Sequence, residues 1–314
     1  MIMNNINDVS TLNEIRFKNY DFLNNITISE ILEKLPKENS CQLRISLTQI
    51  CNEKCFFCHN EWNLKEKSTF DEIIFKKIID TMSKYWVKQR IRFTWWEPLL
   101  YKWLPNLIKY SKNALPTSDV WLTTNALLLE NRAQEIVDAW LDKITVSLHS
   151  LNAKNYKEIT KVDWLNKVLN WLEKLRKVWF EWQISINSVI WSNNIDEVFS
   201  LDSFCILNNY KLKLLDILPF TKELEKYTLS QEQIVKLSNI NKIKWTRTQS
   251  KCVTCEKNNI CWWEAEYLRL SPSWIMNPCL SLKEKDIDLN SLKDNISIEK
   301  WILLWFRRVI DLSI

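Results

Sequence analysis

Glycine is absent from all 314 residues, where usage of about 7% would supply roughly 22. Every turn or helix end that needs a left-handed backbone must therefore be made by another residue. Long apolar runs are missing too. Trp301–Phe306 spans six residues, far short of a membrane-crossing helix, so no membrane partner is expected. The formal charge is only +5, and no run of Lys or Arg interleaves with aromatics. That balance allows an anionic small molecule but gives no indication of nucleic acid. The opening Met1-Ile-Met-Asn-Asn-Ile lacks the basic-then-apolar order of a signal peptide. Nine cysteines grouped by motif, without an export signal, read as reduced metal ligands and place the chain in the cytoplasm.

Tryptophan is in excess, with 18 copies, and it stands where indoles do not belong. Trp140 closes the helical pattern Asn131–Ala139 at the position usually held by a C′ glycine. Trp86 and Trp179 sit in the same way before the next strand, Trp191 opens the turn Trp-Ser-Asn-Asn, and Trp274 lies in the corner Pro272-Ser-Trp-Ile-Met. Such places ask for positive φ or a missing Cβ. Our reading is that these tryptophans stand for glycine, as if UGA codons meaning glycine had been translated as tryptophan. The abundance of Asn, Lys and Ile fits an AT-rich genome. A genuinely tryptophan-rich chain is the alternative.

From residue 42 onward, short β-branched runs alternate with helical periodicity. Strands are predicted at 42–48, 90–94, 119–124, 142–148, 183–190 and 211–218. Helices are predicted at 69–85, 103–113, 130–139, 164–178, 195–208 and 230–238. Six βα units with near-continuous apolar strands imply an α/β fold, a parallel sheet curled into a partial (β/α)6 TIM-like barrel. Chemistry then belongs at the C-terminal ends of the strands. Residues 1–40 read as an N-terminal leader or cap, with an amphipathic piece at Ile28–Leu35 stopped by Pro36. Residues 41–240 form the core barrel, and 241–314 a C-terminal auxiliary region with a closing helix at 297–310.

Behind the first strand stands Cys51-Asn-Glu-Lys-Cys55-Phe-Phe-Cys58. Three thiolates at C-x3-C-x2-C suit a [4Fe–4S] cluster, which normally takes four ligands; zinc is the simpler occupant. Three protein ligands leave one iron open. An open iron can chelate the amino and carboxylate groups of S-adenosylmethionine (SAM) and pass an electron to its sulfonium. The motif resembles that of the radical SAM superfamily. After the next strand comes Thr94-Trp-Trp-Glu-Pro98, which becomes the companion Thr-Gly-Gly-Glu-Pro signature if Trp95 and Trp96 are glycine. Two real indoles, of ~150–250 Å² each, would fill the space where backbone must approach the cofactor. Glu97 adds a carboxylate toward the methionine ammonium.

Within that superfamily, Leu43–Thr48, Leu122-Thr-Thr-Asn125, Asp142–Leu151, Asp163-Trp-Leu165, Ile190–Glu197 and Leu268–Leu280 resemble the GTP 3′,8-cyclases of molybdenum cofactor biosynthesis. The resemblance implies cleavage of SAM to methionine and a 5′-deoxyadenosyl radical. It also implies SAM contacts at Ser147 and the backbone of Trp96, with Phe57 beside the adenine. Arg44, Arg92, Thr123 and Arg269 would contact GTP, since a guanidinium fork suits phosphate. Snorkelling at a strand end is the plainer role for Arg44 and Arg92. Thr124 and Asn125 shape a turn, while His149 and His59 read as ordinary hydrogen-bonded or surface residues. A flavodoxin or ferredoxin would donate the electron.

Cys252, Cys255, Cys261 and Cys279 would hold a second [4Fe–4S] cluster, although the cyclases use three cysteines there. Four would close it, as in radical SAM maturases acting on peptides or other small metabolites; tetrahedral zinc also fits four. Cys41 and Cys205 read as inert core residues. The Arg-x-Arg of the cyclases survives only as Arg269, with Tyr267 in the earlier place. Their phosphate-binding lysine falls near Ser185, and their double-glycine tail is missing. These departures lie on substrate contacts, which leaves a maturase as the alternative function. A non-enzymatic metal-binding scaffold is the second alternative, should the tryptophans be real.

Overall fold

The structure, a computed structural model, describes residues 27–33, 40–58, 70–85, 88–178, 183–217, 222–238, 268–276, 287–289 and 298–303. Six strands run parallel in chain order: β1 (Ser40–Ile45), β2 (Lys88–Phe93), β3 (Asp119–Thr124), β4 (Lys143–Ser147), β5 (Gln183–Ile190) and β6 (Lys211–Asp216). Helices cross between them: α2 (Glu72–Tyr85), α3 (Leu104–Ala114), α4 (Leu129–Asp138), α5 (Ala153–Thr160), α6 (Leu165–Val178) and α7 (Ile195–Leu207), with α1 (Ile28–Leu32) ahead of β1. Two further helices, α8 (Lys222–Glu225) and α9 (Gln231–Ser238), follow β6. The sheet stays open, as a partial barrel should.

The sheet does not end at β1. Residues Leu268–Leu270 form β7, which pairs parallel to β1, and β8 (Ile275–Met276) and β9 (Ile287–Asp288) continue antiparallel beyond it. The order is β6-β5-β4-β3-β2-β1-β7-β8-β9. Part of the segment read from sequence as an auxiliary region thus supplies the neighbour of the first strand.

Alternation along the strands sorts the two faces. Leu43, Ile45, Ile91, Phe93, Val120, Leu122, Ile144 and Ile184 are buried in one core with Phe75, Ile78, Ile79 and Met82 of α2 and Leu107 and Ile108 of α3. The residues between them, Arg44, Arg92, Thr123 and Ser185, lie on the opposite, concave face. The polar functional side chains therefore share one surface, and the chain ends of β1 to β5 share one rim.

Candidate active site

The cysteine loop begins just past β1, and hydrogen bonds from three directions hold it. Glu97 N–H donates to Ile50 O at 3.2 Å, Lys54 N–H to Thr160 O at 2.9 Å, and Phe56 N–H to Ile159 O at 3.2 Å. The last two acceptors close α5, the short helix after β4. From the same helix, fully buried Tyr156 donates its hydroxyl to Glu53 Oε1 at 2.8 Å. Glu53, Tyr156 and α5 were not singled out in the sequence. Their signal was there in Asn152, whose side chain caps α5 by accepting from Asn155 N–H, with apolar Tyr156 and Ile159 three residues apart.

Burial pushes the Cys51 thiol up to about 11, against the Glu53 N–H that donates to its sulfur, and nearby Glu97 and Glu53 push it further. The Cys55 thiol is raised more strongly, by burial first and then by the Glu53 carboxylate. Thiols so placed stay protonated unless a cationic centre takes the proton's place, which is what a metal cluster does. Glu53 N–H at 3.4 Å and Asn125 Nδ2 at 3.8 Å both point at Cys51 Sγ, the kind of donor that tunes a bound iron–sulfur cluster. Among the described residues no three His, Cys, Asp or Glu side chains close on a single ion.

The β2 end meets this loop directly. Thr94 N–H donates to Ile45 O at 2.9 Å, and Trp95 and Trp96 follow with φ of 65° and 51°. For a residue with a bulky side chain, each left-handed position costs about 1–2 kcal/mol. Glu97 comes next, fully buried. Its Oε1 accepts from Leu99 N–H at 3.0 Å and from Thr124 Oγ1 at 2.7 Å, and its Oε2 from Asn125 N–H at 2.8 Å. Burial pushes this carboxyl up to about 7 against those donors. Glu97 is thus a tie between the β2 and β3 ends, and Thr124 and Asn125 are its partners, with Asn125 Nδ2 also donating to Asn52 at 2.6 Å. Arg132 of α4 gathers the following turn by donating to the carbonyls of Leu99, Tyr101 and Lys102.

On the concave face, Arg44 stands beside Arg92 on one side and beside Arg269 on the other, in register across β2, β1 and β7. Like charges directly opposite one another are unfavourable in a sheet. Arg269 is completely buried. Trp121 is the β3 neighbour of Arg92, and its ring lies 4.3 Å from that guanidinium and 4.2 Å from that of Arg90. Thr123 lies two residues further along β3. Ser147 ends β4, next to Asn187 of β5.

His149, two residues past Ser147, is buried and accepts Val189 N–H on Nδ1 at 3.0 Å. Its proton therefore sits on Nε2, and burial lowers its pKa to about 4. The Phe57 ring packs edge-on against it at 4.9 Å. Phe56 packs between Trp191 at 5.3 Å and Tyr227 at 5.1 Å. Cys205 is buried, as expected of a core residue. Cys252, Cys255, Cys261, Cys279 and His59 lie outside the described residues.

Residues 45–200 match the model of the radical SAM superfamily. That region is a radical SAM domain. A probable GTP 3′,8-cyclase of Methanococcus maripaludis is 29% identical over 282 residues, covering 83% of this chain and 92% of that protein. A second, from Methanocaldococcus jannaschii, is 36% identical over 188 residues, covering 59% of this chain and 61% of its own. Among solved structures, Streptococcus suis SuiB bound to its precursor peptide SuiA superposes with a TM-score of 0.64 at 15% identity, over 88% of this chain and 67% of that one. The structure of anSMEcpe with bound AdoMet gives 0.60 at 16% identity, over 85% and 84%. These superpositions show the shared fold. As a radical SAM enzyme, the chain works with a [4Fe–4S] cluster and SAM, and the rim just described is where both motifs lie.

Proposed function

We propose that Cys51, Cys55 and Cys58 hold the SAM-binding [4Fe–4S] cluster and that the chain is a GTP 3′,8-cyclase, forming the cyclic pterin precursor of molybdenum cofactor. A cluster held by these three cysteines would supply the electron and the open iron that reductive cleavage of SAM needs. The protein's part is to place and enclose the reactants. The backbone at residues 95 and 96 lines the methionine end, held there by Glu97 through Leu99, Thr124 and Asn125. Ser147 and Phe57 take the nucleoside end, and neutral His149 keeps Phe57 in place.

The observation that carries the substrate is the row Arg269–Arg44–Arg92 across three neighbouring strands. Three guanidinium groups abreast on one face of the sheet suit a polyanion, since each can grip a phosphate with two N–H groups. Thr123 lies beyond the row, towards the strand ends and the cysteine loop. A triphosphate on the row would extend a purine towards the cysteine rim. The names of the archaeal relatives agree with that substrate.

Anaerobic reconstitution tests the assignment. GTP should stimulate release of 5′-deoxyadenosine and be consumed with it, while GTP without effect on that release would overturn the cyclase reading. The four C-terminal cysteines favour a second reading, a maturase whose auxiliary cluster is closed. It would be supported by GTP-independent SAM cleavage in a protein whose second cluster keeps four cysteine ligands by spectroscopy.

A further inference from the structure

The backbone itself says which residues the natural protein carries. Among the described residues, seven have φ in the left-handed region: Trp95, Trp96, Ala126, Trp140, Lys161, Asn209 and Trp274. Four of the seven are tryptophan, a residue for which that region is a genuine outlier. Two helix ends make the comparison sharp. After α7, Asn209 at φ 57° donates its N–H to Ile206 O, and Tyr210 N–H reaches back to Cys205 O. After α4, Trp140 at φ 65° donates to Val137 O, and Leu141 N–H reaches back to Ile136 O. Both are the same paired-bond helix terminus, whose left-handed residue is ordinarily glycine and sometimes asparagine. Trp140 has little burial to set against that backbone cost, because the residue is 56% exposed.

Trp274 fails in the opposite way. It closes the β7–β8 turn by donating N–H to Ser271 O at 3.0 Å, at φ 60°, where a hairpin of this length calls for glycine. Its indole is buried to 1% exposure, and Nε1 has no hydrogen-bond partner among the described residues. Trp121 Nε1 is likewise buried without one, beneath the guanidinium groups of the concave face. Trp95 and Trp96 are consecutive left-handed residues at the mouth of the cofactor site. A chain with no glycine and 18 tryptophans thus places tryptophan where the backbone requires glycine.

We propose that the natural protein carries glycine at the positions written here as tryptophan, through a UGA codon decoded as glycine. The rim of the site is then opened by Gly at 95 and 96, and the Phe56, Phe57 and Tyr227 rings border the space now filled by the Trp191 indole. The backbone argument rests on φ and hydrogen bonding alone and stands apart from the substrate assignment.

The decisive measurement is the intact mass and peptide map of the protein purified from its own host. Each exchange of tryptophan for glycine removes the same fixed mass. Glycine at 95, 96, 140 and 274 supports the inference; tryptophan at any of these four overturns it. A second measurement uses the full chain as written, made in a host that inserts tryptophan. Trp140→Gly should raise its melting temperature by about 2 °C, and Trp140→Asn should recover part of that rise; no change or a fall would remove the physical ground. Absence of SAM cleavage in protein shown by mass to carry glycine would count against the cofactor assignment and leave this inference standing.

Discussion

At the scale of single residues, the site separates side chains that meet the reactants from those that hold the chain. Under the proposed assignment Cys55 belongs to the first group. Cys55→Ala should abolish 5′-deoxyadenosine formation after reconstitution, and cleavage that persisted would mean the cluster lies elsewhere. Glu97 belongs to the second group. In the sequence it reads as a carboxylate offered to the cofactor, but the hydrogen bonds its carboxylate makes among the described residues run to Leu99, Thr124 and Asn125. Glu97→Ala leaves three buried donors without an acceptor and should lower unfolding free energy by about 3 kcal/mol in denaturant titration. His149 gives a pH signature. Its folded pKa, near 4, lies below the ordinary 6.5, so the unfolded chain binds the proton more readily between those values. The stability it contributes is complete above pH 6.5 and falls as pH drops towards 4, by on the order of 3 kcal/mol. Melting curves of the wild type and His149→Phe across that window should converge at low pH.

At the scale of elements, α5 is the support on which the cysteine loop rests, through Thr160 O, Ile159 O and the Tyr156 hydroxyl. Tyr156→Phe keeps the ring in the core and removes one bond to a buried carboxylate. It should cost about 2 kcal/mol and quicken iron loss from the reconstituted protein, followed by its visible absorbance. The β1–β6 strands and the helices between them were legible in the sequence to within a few residues, because their apolar runs are buried under helices and periodicity survives. α5 was not, since eight residues between a cap and a left-handed Lys161 carry too little periodicity to stand out. β7 to β9 were hidden for a related reason. Strands of two and three residues owe their existence to the β1 edge and leave no pattern of their own. The cysteines and the Thr-x-x-Glu-Pro turn were legible because chemistry dictates their spacing. The function of Glu97 as a tie was not, because its partners lie 27 and 28 residues away in sequence.

At the scale of the molecule, the sheet is completed from the far end of the chain. β7 covers β1, accepts Ser46 N–H on Leu270 O at 2.9 Å, and brings Arg269 to the arginine row. Residues 298–303 are helical, and Glu299 there accepts from Lys84 Nζ at 2.9 Å and Tyr85 at the end of α2. A chain ending at residue 267 should therefore melt lower and aggregate, with light scattering reporting the bare β1 edge. During synthesis, β1 leaves the ribosome roughly two hundred residues ahead of the strand that seals it. Until then the loop that carries Cys51, Cys55 and Cys58 sits at the border of an unfinished sheet. If that loop takes the cluster as proposed, chains halted before the last segment docks should load iron faster in reconstitution than the full-length protein.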